Sequence, residues 1–225
     1  MLIDLSHTVE HGMTTYPGLP APLICDYLSR EASRSRYAGG ATFHIGRIDM
    51  IANTGTYLDT PFHRYEDGID LADLPLGCVA GLPAVRLSFA PGSDRAITRA
   101  ALDRRIGARE IRGSAVLMHT GWDRHWRTER YGGPNPCLSA DGAELLLERG
   151  VALAGIDSVN MDDMLDLSRP AHSLLLRQGV PIVEHLTNLG EVAESGAWFY
   201  AVPPKVRGMG TFPVRAFVMH RRPTA

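Results

Sequence analysis

Asn53-Thr54-Gly55-Thr56-Tyr57-Leu58-Asp59-Thr60-Pro61-Phe62-His63 gathers an amide, a phenol, a carboxylate and an imidazole around a tight Gly-Thr turn. On an extended chain, side chains two apart share a face, so Tyr57 and Asp59 point the same way if the stretch runs extended. Pro61 excludes a helix there, because it lacks an N–H and restrains the residue before it. Converging polar groups of this kind suit a pocket better than a core. The same residues also read as an Asx-type turn followed by an edge strand, with His63 on the surface.

Upstream, residues 42–51 alternate apolar and polar for part of their length, as a half-buried strand does, and feed straight into the Asn53–His63 segment. Before them, Gly12, Pro17, Gly18, Pro20 and Pro22 make residues 7–22 a loop, preceded by a short apolar strand at Leu2–Leu5. Downstream, strands are expected at Leu82–Phe89, Ser114–His119, Val151–Ile156, Val180–Glu184, Ala197–Val202 and Val214–Met219. Thr98 reads as the N-cap of a helix over Arg99–Ile106, and Ser139 or Asp141 as the cap of one running to Arg149, with Gly150 as its stop. Pro170 suits the first turn of a third helix, to Gln178, ended by Gly179. Residues 221–225 read as a frayed tail. Many short strands with about three helices predict a mixed α/β fold with a substantial sheet, and no linker or repeat divides it, so 1–225 is expected to form a single domain.

The 225 residues are 44% hydrophobic, enough to bury a sizeable core, and the net charge of −2 gives no reason to expect nucleic acid or an anionic membrane as partner. Cys25, Cys78 and Cys137 are widely spaced and form no metal or redox motif, which fits a reducing cytoplasm. Neither a signal-peptide pattern nor an apolar run of about 20 residues occurs, so a cytoplasmic location without membrane insertion is expected.

A second polar cluster lies late in the chain. Glu184 closes the otherwise apolar Val180-Pro181-Ile182-Val183-Glu184, an uncomfortable place for a carboxylate unless it is paired or binds a metal. His172 lies on the helix before it. The two can meet across the helix-to-strand return, but alone they do not specify a site. His7 and His11 read as surface groups of the N-terminal loop, and Asp162 and Asp163 as solvated loop carboxylates. His44, beside the opening segment, is a replacement ligand only if a bulge turns it to the other strand face. Trp122 and Trp126 are assigned to a core or a subunit contact.

Together, the two clusters resemble the cyclase family of metal-dependent hydrolases, which includes bacterial kynurenine formamidases and isatin hydrolase. The family signature His-x-Gly-Thr-His-x-Asp-x-Pro-x-His appears here with Asn53 and Tyr57 in place of its first two histidines. The resemblance extends over Ile3-Asp4-Leu5-Ser6-His7, Tyr16-Pro17-Gly18, Leu117–Trp122, Gly155–Ser158, His172–Leu176 and Glu184–Leu189, nearly the whole chain. It implies a swivelling β/β/α fold with a site in a cleft at the sheet edge, often completed by a neighbouring subunit, so a homo-oligomer (dimer or tetramer) is expected. It also implies that one metal site, in which Asn53 and Tyr57 replace two histidine ligands, is dismantled. A second, of Asp59, His172 and Glu184, is retained, with His63 as proton donor and acceptor.

Two carboxylates and one imidazole make an oxygen-heavy donor set, which tilts from zinc toward manganese or magnesium; one divalent ion, manganese or zinc, is expected. The ion would polarise a carbonyl or activate water, His63 would move the proton, and Tyr57 and Asn53 would stabilise the oxyanion. The expected function is hydrolysis of an amide, lactam or related small carbonyl substrate. Two other readings use the same residues. One is a metal-free acid–base cyclase, dehydratase or isomerase built on Tyr57 and His63. The other is a non-catalytic small-molecule binding protein.

Overall fold

The computed structural model describes residues 1–89 and 95–220. The tail expected to fray, residues 221–225, lies outside the described residues. In chain order the strands are β1 (Leu2–Asp4), β2 (Leu23–Leu28), β3 (Ile45–Asp49), β4 (Tyr57–Asp59), β5 (Ala80–Ser88), β6 (Ala96–Ile97), β7 (Ala115–His119), β8 (Cys137–Leu138), β9 (Leu153–Ile156), β10 (Ile182–Glu184), β11 (Ala197–Tyr200), β12 (Thr211–Pro213) and β13 (Phe217–His220). The helices are α1 (Arg30–Ser33), α2 (Arg99–Ile106), α3 (Ala140–Glu148) and α4 (Pro170–Arg177).

Nine strands form one mixed sheet in the order β1-β13-β11-β5-β7-β9-β10-β4-β12. Its centre, β5-β7-β9-β10, is parallel, which is why the segments at 114–119, 151–156 and 180–184 are apolar without alternation: both faces are covered. Val116 and Met118 of β7 pack with Leu102 and Ile106 of α2, Leu146 of α3 and Leu175 of α4. Ala115 and Leu117 face the other way, into a second core with Leu5, Leu58, Val183, Phe199 and Val218. The antiparallel strands β4 and β12 extend the sheet on one side. No helix among the described residues is long and apolar enough to cross a membrane.

Local chemistry set α2, α3 and α4 where the residues indicated, while the single turn α1, capped by Ser29, was not expected. Thr98 caps α2 by accepting from Ala101 N, and Ser139, rather than Asp141, caps α3 by accepting from Gly142 N. One expectation fails. The strand at 42–51 narrows to β3 and is exposed along its whole length, not half-buried. It pairs with β2 alone in a two-stranded arm, away from the nine-stranded sheet. Alternation reports two unlike faces only when one of them meets a core, and here neither does.

Candidate active site

Strand β4 is held between two neighbours. Tyr57 lies opposite Glu184 of β10 and Pro213 of β12, and Asp59 lies opposite Ile182 and Thr211. Tyr57 and Asp59 therefore share the sheet face on which the helices pack, while Leu58 enters the opposite core. Thr60 ends the strand by donating from N (2.7 Å) and Oγ1 (3.1 Å) to the Gly210 carbonyl. Pro61 then opens a single 3₁₀ turn that brings His63 back beside Asp59. Gly210 runs so close to the His63 backbone that a β-carbon would overlap it, which explains glycine there.

Helix α4 brings in His172. Its N-cap, Arg169, sits at φ 51 and offers no side-chain cap. Asp162 does that work from the preceding loop, accepting from Ala171 N (2.6 Å) and His172 N (3.1 Å). The same carboxylate lies 2.6 Å from His172 Nδ1. Asp162 is fully buried, which corrects its expected role as a solvated loop residue. It fixes the imidazole so that Nε2 faces the site, as outer carboxylates do for metal-binding histidines.

His172 Nε2 stands 3.7 Å from Asp59 Oδ2 and 3.4 Å from Glu184 Oε1. Ligand atoms of the three residues lie within 4.8 Å of one another, and all three are buried. Among the described residues, Asp59 Oδ2 has no hydrogen-bond partner. An unpartnered buried carboxylate oxygen is costly unless something positive sits against it, so these residues fit one divalent cation. Glu184 is otherwise engaged: Met161 N donates to Oε1 and the Tyr57 hydroxyl to Oε2, each at 2.5 Å. Burial disfavours a charge on His172, yet the Glu184, Asp162 and Asp59 carboxylates outweigh it and raise its pKa. Burial raises Glu184 in turn, against the pull of His172.

A cavity of about 310 Å³ opens over this cluster, with Tyr16, Asn53, Tyr57, His63, Asn160, His172 and Glu184 on its walls. Burial, then the Glu184 charge, holds the Tyr57 phenol well above its ordinary pKa, so it stays a neutral donor. Its single proton goes to Glu184, whereas the Asn53 amide lines the cavity itself. The family resemblance includes Tyr16 without a role; its hydroxyl donates to Val159 O (2.6 Å) and accepts from Asn160 Nδ2 (2.6 Å). Sequence reasoning missed Thr211, whose hydroxyl reaches both Asp59 and His63. A tyrosine in a proline-rich loop and a threonine after a glycine carry no spacing signal. His44 is not a ligand: it bonds Asp26 on the exposed arm at 2.8 Å.

Behind Tyr57 lies an aromatic wall. His7 stacks on Trp126 with ring centroids 4.0 Å apart, rather than lying free on the surface, and His185 packs edge-on against the same indole. Burial lowers the pKa of His7 to about 4, with Asp123 opposing, and burial with the His7 charge lowers His185 to about 3. Both rings fold in the neutral form. Their contribution to stability is therefore complete above pH 6.5 and is lost as the pH falls through 4 toward 3. Urea midpoints followed by tryptophan fluorescence should drop over that window, and the drop should be shallower in a His7→Gln variant. Parallel pH profiles for the two proteins would contradict this assignment.

The Cyclase family model matches residues 3–163. The chain belongs to the cyclase family. This cyclase-family chain is 30% identical to a kynurenine formamidase of Bacillus cereus over 222 residues, covering 96% of each. It is 29% identical, with the same coverage, to a kynurenine formamidase of Bacillus mycoides. Among solved structures, isatin hydrolase A from Labrenzia aggregata bound to benzyl benzoate superposes with a TM-score of 0.82 at 21% identity, over 99% of this chain and 94% of the other. A potential metal-dependent hydrolase with cyclase activity gives 0.78 at 24% identity, over 99% of both chains. The mixed sheet with few helices is the fold of these structures.

Proposed function

We propose that this chain is a hydrolase of an amide-type bond in a small carbonyl compound, a formamide or lactam, using one divalent ion and His63. The observation that carries the reading is the buried, unpartnered Asp59 Oδ2, facing His172 Nε2 beside Glu184. The relatives named kynurenine formamidase support the bond type. Asp59, His172 and Glu184 would hold the ion, which supplies Lewis-acid polarisation and an activated water.

The remaining work falls to the chain. Asp162 orients His172 and Tyr57 steadies Glu184, so the ligand atoms are positioned before an ion arrives. Tyr57 takes up one Glu184 oxygen, which favours a single ion over a pair. Asn53 puts an amide donor on the cavity wall, suited to a developing oxyanion. His63 accepts a proton from the attacking water and returns it to the departing nitrogen, so amide and water become acid and amine.

The metal-free acid–base reading has one observation in its favour: His172 as an imidazolium stands within ion-pair distance of both Glu184 and Asp59. Elemental analysis of untagged protein, with turnover of N-formyl arylamines and lactams before and after exhaustive chelation, separates the two. The expected result is one manganese or zinc ion per chain, with activity lost on chelation and restored by that ion. Turnover that survives complete removal of metal would transfer the chemistry to the metal-free mechanism. Binding without turnover under every metal would leave a binding protein.

A further inference from the structure

Thr211 is buried on β12, directly opposite Asp59 on β4. Its hydroxyl oxygen lies 2.5 Å from Asp59 Oδ1 and 2.7 Å from His63 Nδ1. The direct His63 Nδ1–Asp59 Oδ1 distance is 3.8 Å, too long for a hydrogen bond. The threonine hydroxyl therefore stands between the two groups. It has a single proton, and a carboxylate has none to give. Thr211 must donate to Asp59, and its oxygen is then an acceptor toward His63. The partner that fits this acceptor is an Nδ1–H.

We infer that Thr211 is a positioning residue that holds His63 as the Nδ1–H tautomer, with the Nε2 lone pair presented to the cavity. Free histidine prefers the opposite tautomer, with its proton on Nε2, which has no lone pair to offer there. The chain Asp59–Thr211–His63 does for this imidazole what a directly bonded carboxylate does elsewhere, with one hydroxyl interposed. No proton travels along it. When Nε2 takes a proton from water, the imidazolium keeps its Nδ1–H on Thr211, and Thr211 keeps its own on Asp59. When Nε2 releases that proton to the leaving nitrogen, the starting arrangement returns. Asp59 thereby serves both halves of the site, with Oδ1 orienting the base through Thr211 and Oδ2 facing His172.

The kinetic consequence rests on the hydrolase reading, while the tautomer does not, and the experiment keeps them apart. Metal-free protein labelled with ¹⁵N-histidine is examined by long-range ¹H–¹⁵N correlation, with His63 assigned by its loss in a His63→Gln variant. Wild type should show His63 as the Nδ1–H form. Thr211→Val, nearly the same shape without the hydroxyl, should shift it toward Nε2–H, and Thr211→Ser should restore it. In the ion-loaded protein, Thr211→Val should lower kcat by about 10–100-fold, the range for lost outer partners, with KM little changed, and Thr211→Ser should recover most of the loss. A wild-type His63 protonated on Nε2, or a valine variant whose tautomer does not move, overturns the inference. The wild-type spectrum decides even if the valine variant fails to fold. The expected tautomer shift in a protein with no amide turnover would sink the hydrolase reading and leave the positioning role standing.

Discussion

Asp59→Ala is expected to cost the protein its ion and its turnover together. Asp59 supplies one of two carboxylates near His172 Nε2, and its Oδ2 has no other partner among the described residues. Loss of an outer partner typically weakens metal binding by 10–100-fold, so loss of a ligand should exceed about 100-fold. The same truncation removes the acceptor for Thr211 and so unfastens His63. Thermal denaturation gives a reading independent of turnover. An ion at 100 times its Kd should stabilise wild type by about 2.7 kcal/mol and leave the alanine variant unmoved. Equal ion-induced stabilisation of both proteins would remove Asp59 from the ligand set.

His63→Ala should separate the two functions that Asp59→Ala loses at once. The His63 and His172 rings are 6.3 Å apart, and His63 is not among the three residues whose ligand atoms converge. Ion content should stay at the wild-type level. Turnover should fall by about 10²–10⁴-fold, the usual contribution of a general acid–base group. His63 is partly exposed, so its removal opens space to solvent without emptying a core, and stability should change little. Undiminished turnover in this variant would falsify the acid–base assignment.

The sequence made the helical half of the fold readable, because caps are local. Thr98, Ser139 and Pro170 announce their helices within four residues, and the uninterrupted apolar runs announce the parallel strands. Strand β12 was not readable: three residues between Gly210 and Val214, one of them proline, look like a loop until β4 is placed beside them. The site divides in the same way. Asp59, His63, His172 and Glu184 stood out through chemistry and family pattern. Asp162 and Asp163 are adjacent acids with the same local signature, yet Asp162 is buried under α4 while Asp163 pairs with Arg95 near the surface. Only the packing of the helix tells them apart. The Thr211 bonds to Asp59 and His63 and the bond between Tyr16 and Asn160 span 144 or more residues, beyond the reach of any spacing rule.

The position of β4 also sets an order of events in the life of the chain. Its three residues are clasped by one strand that ends at Glu184 and another that begins at Thr211, 152 positions after Asp59. During synthesis, the Asn53–His63 segment emerges long before either partner exists. The parallel centre and its helices can gather first, but the cradle around Asp59 closes only once residue 213 is free to pair. On the hydrolase reading, loading with an ion would follow the synthesis of Glu184 and so come late on the ribosome's timescale. Strand β12 then adds Thr211 beside Asp59, so His63 would be fastened only after the three candidate ligands have met.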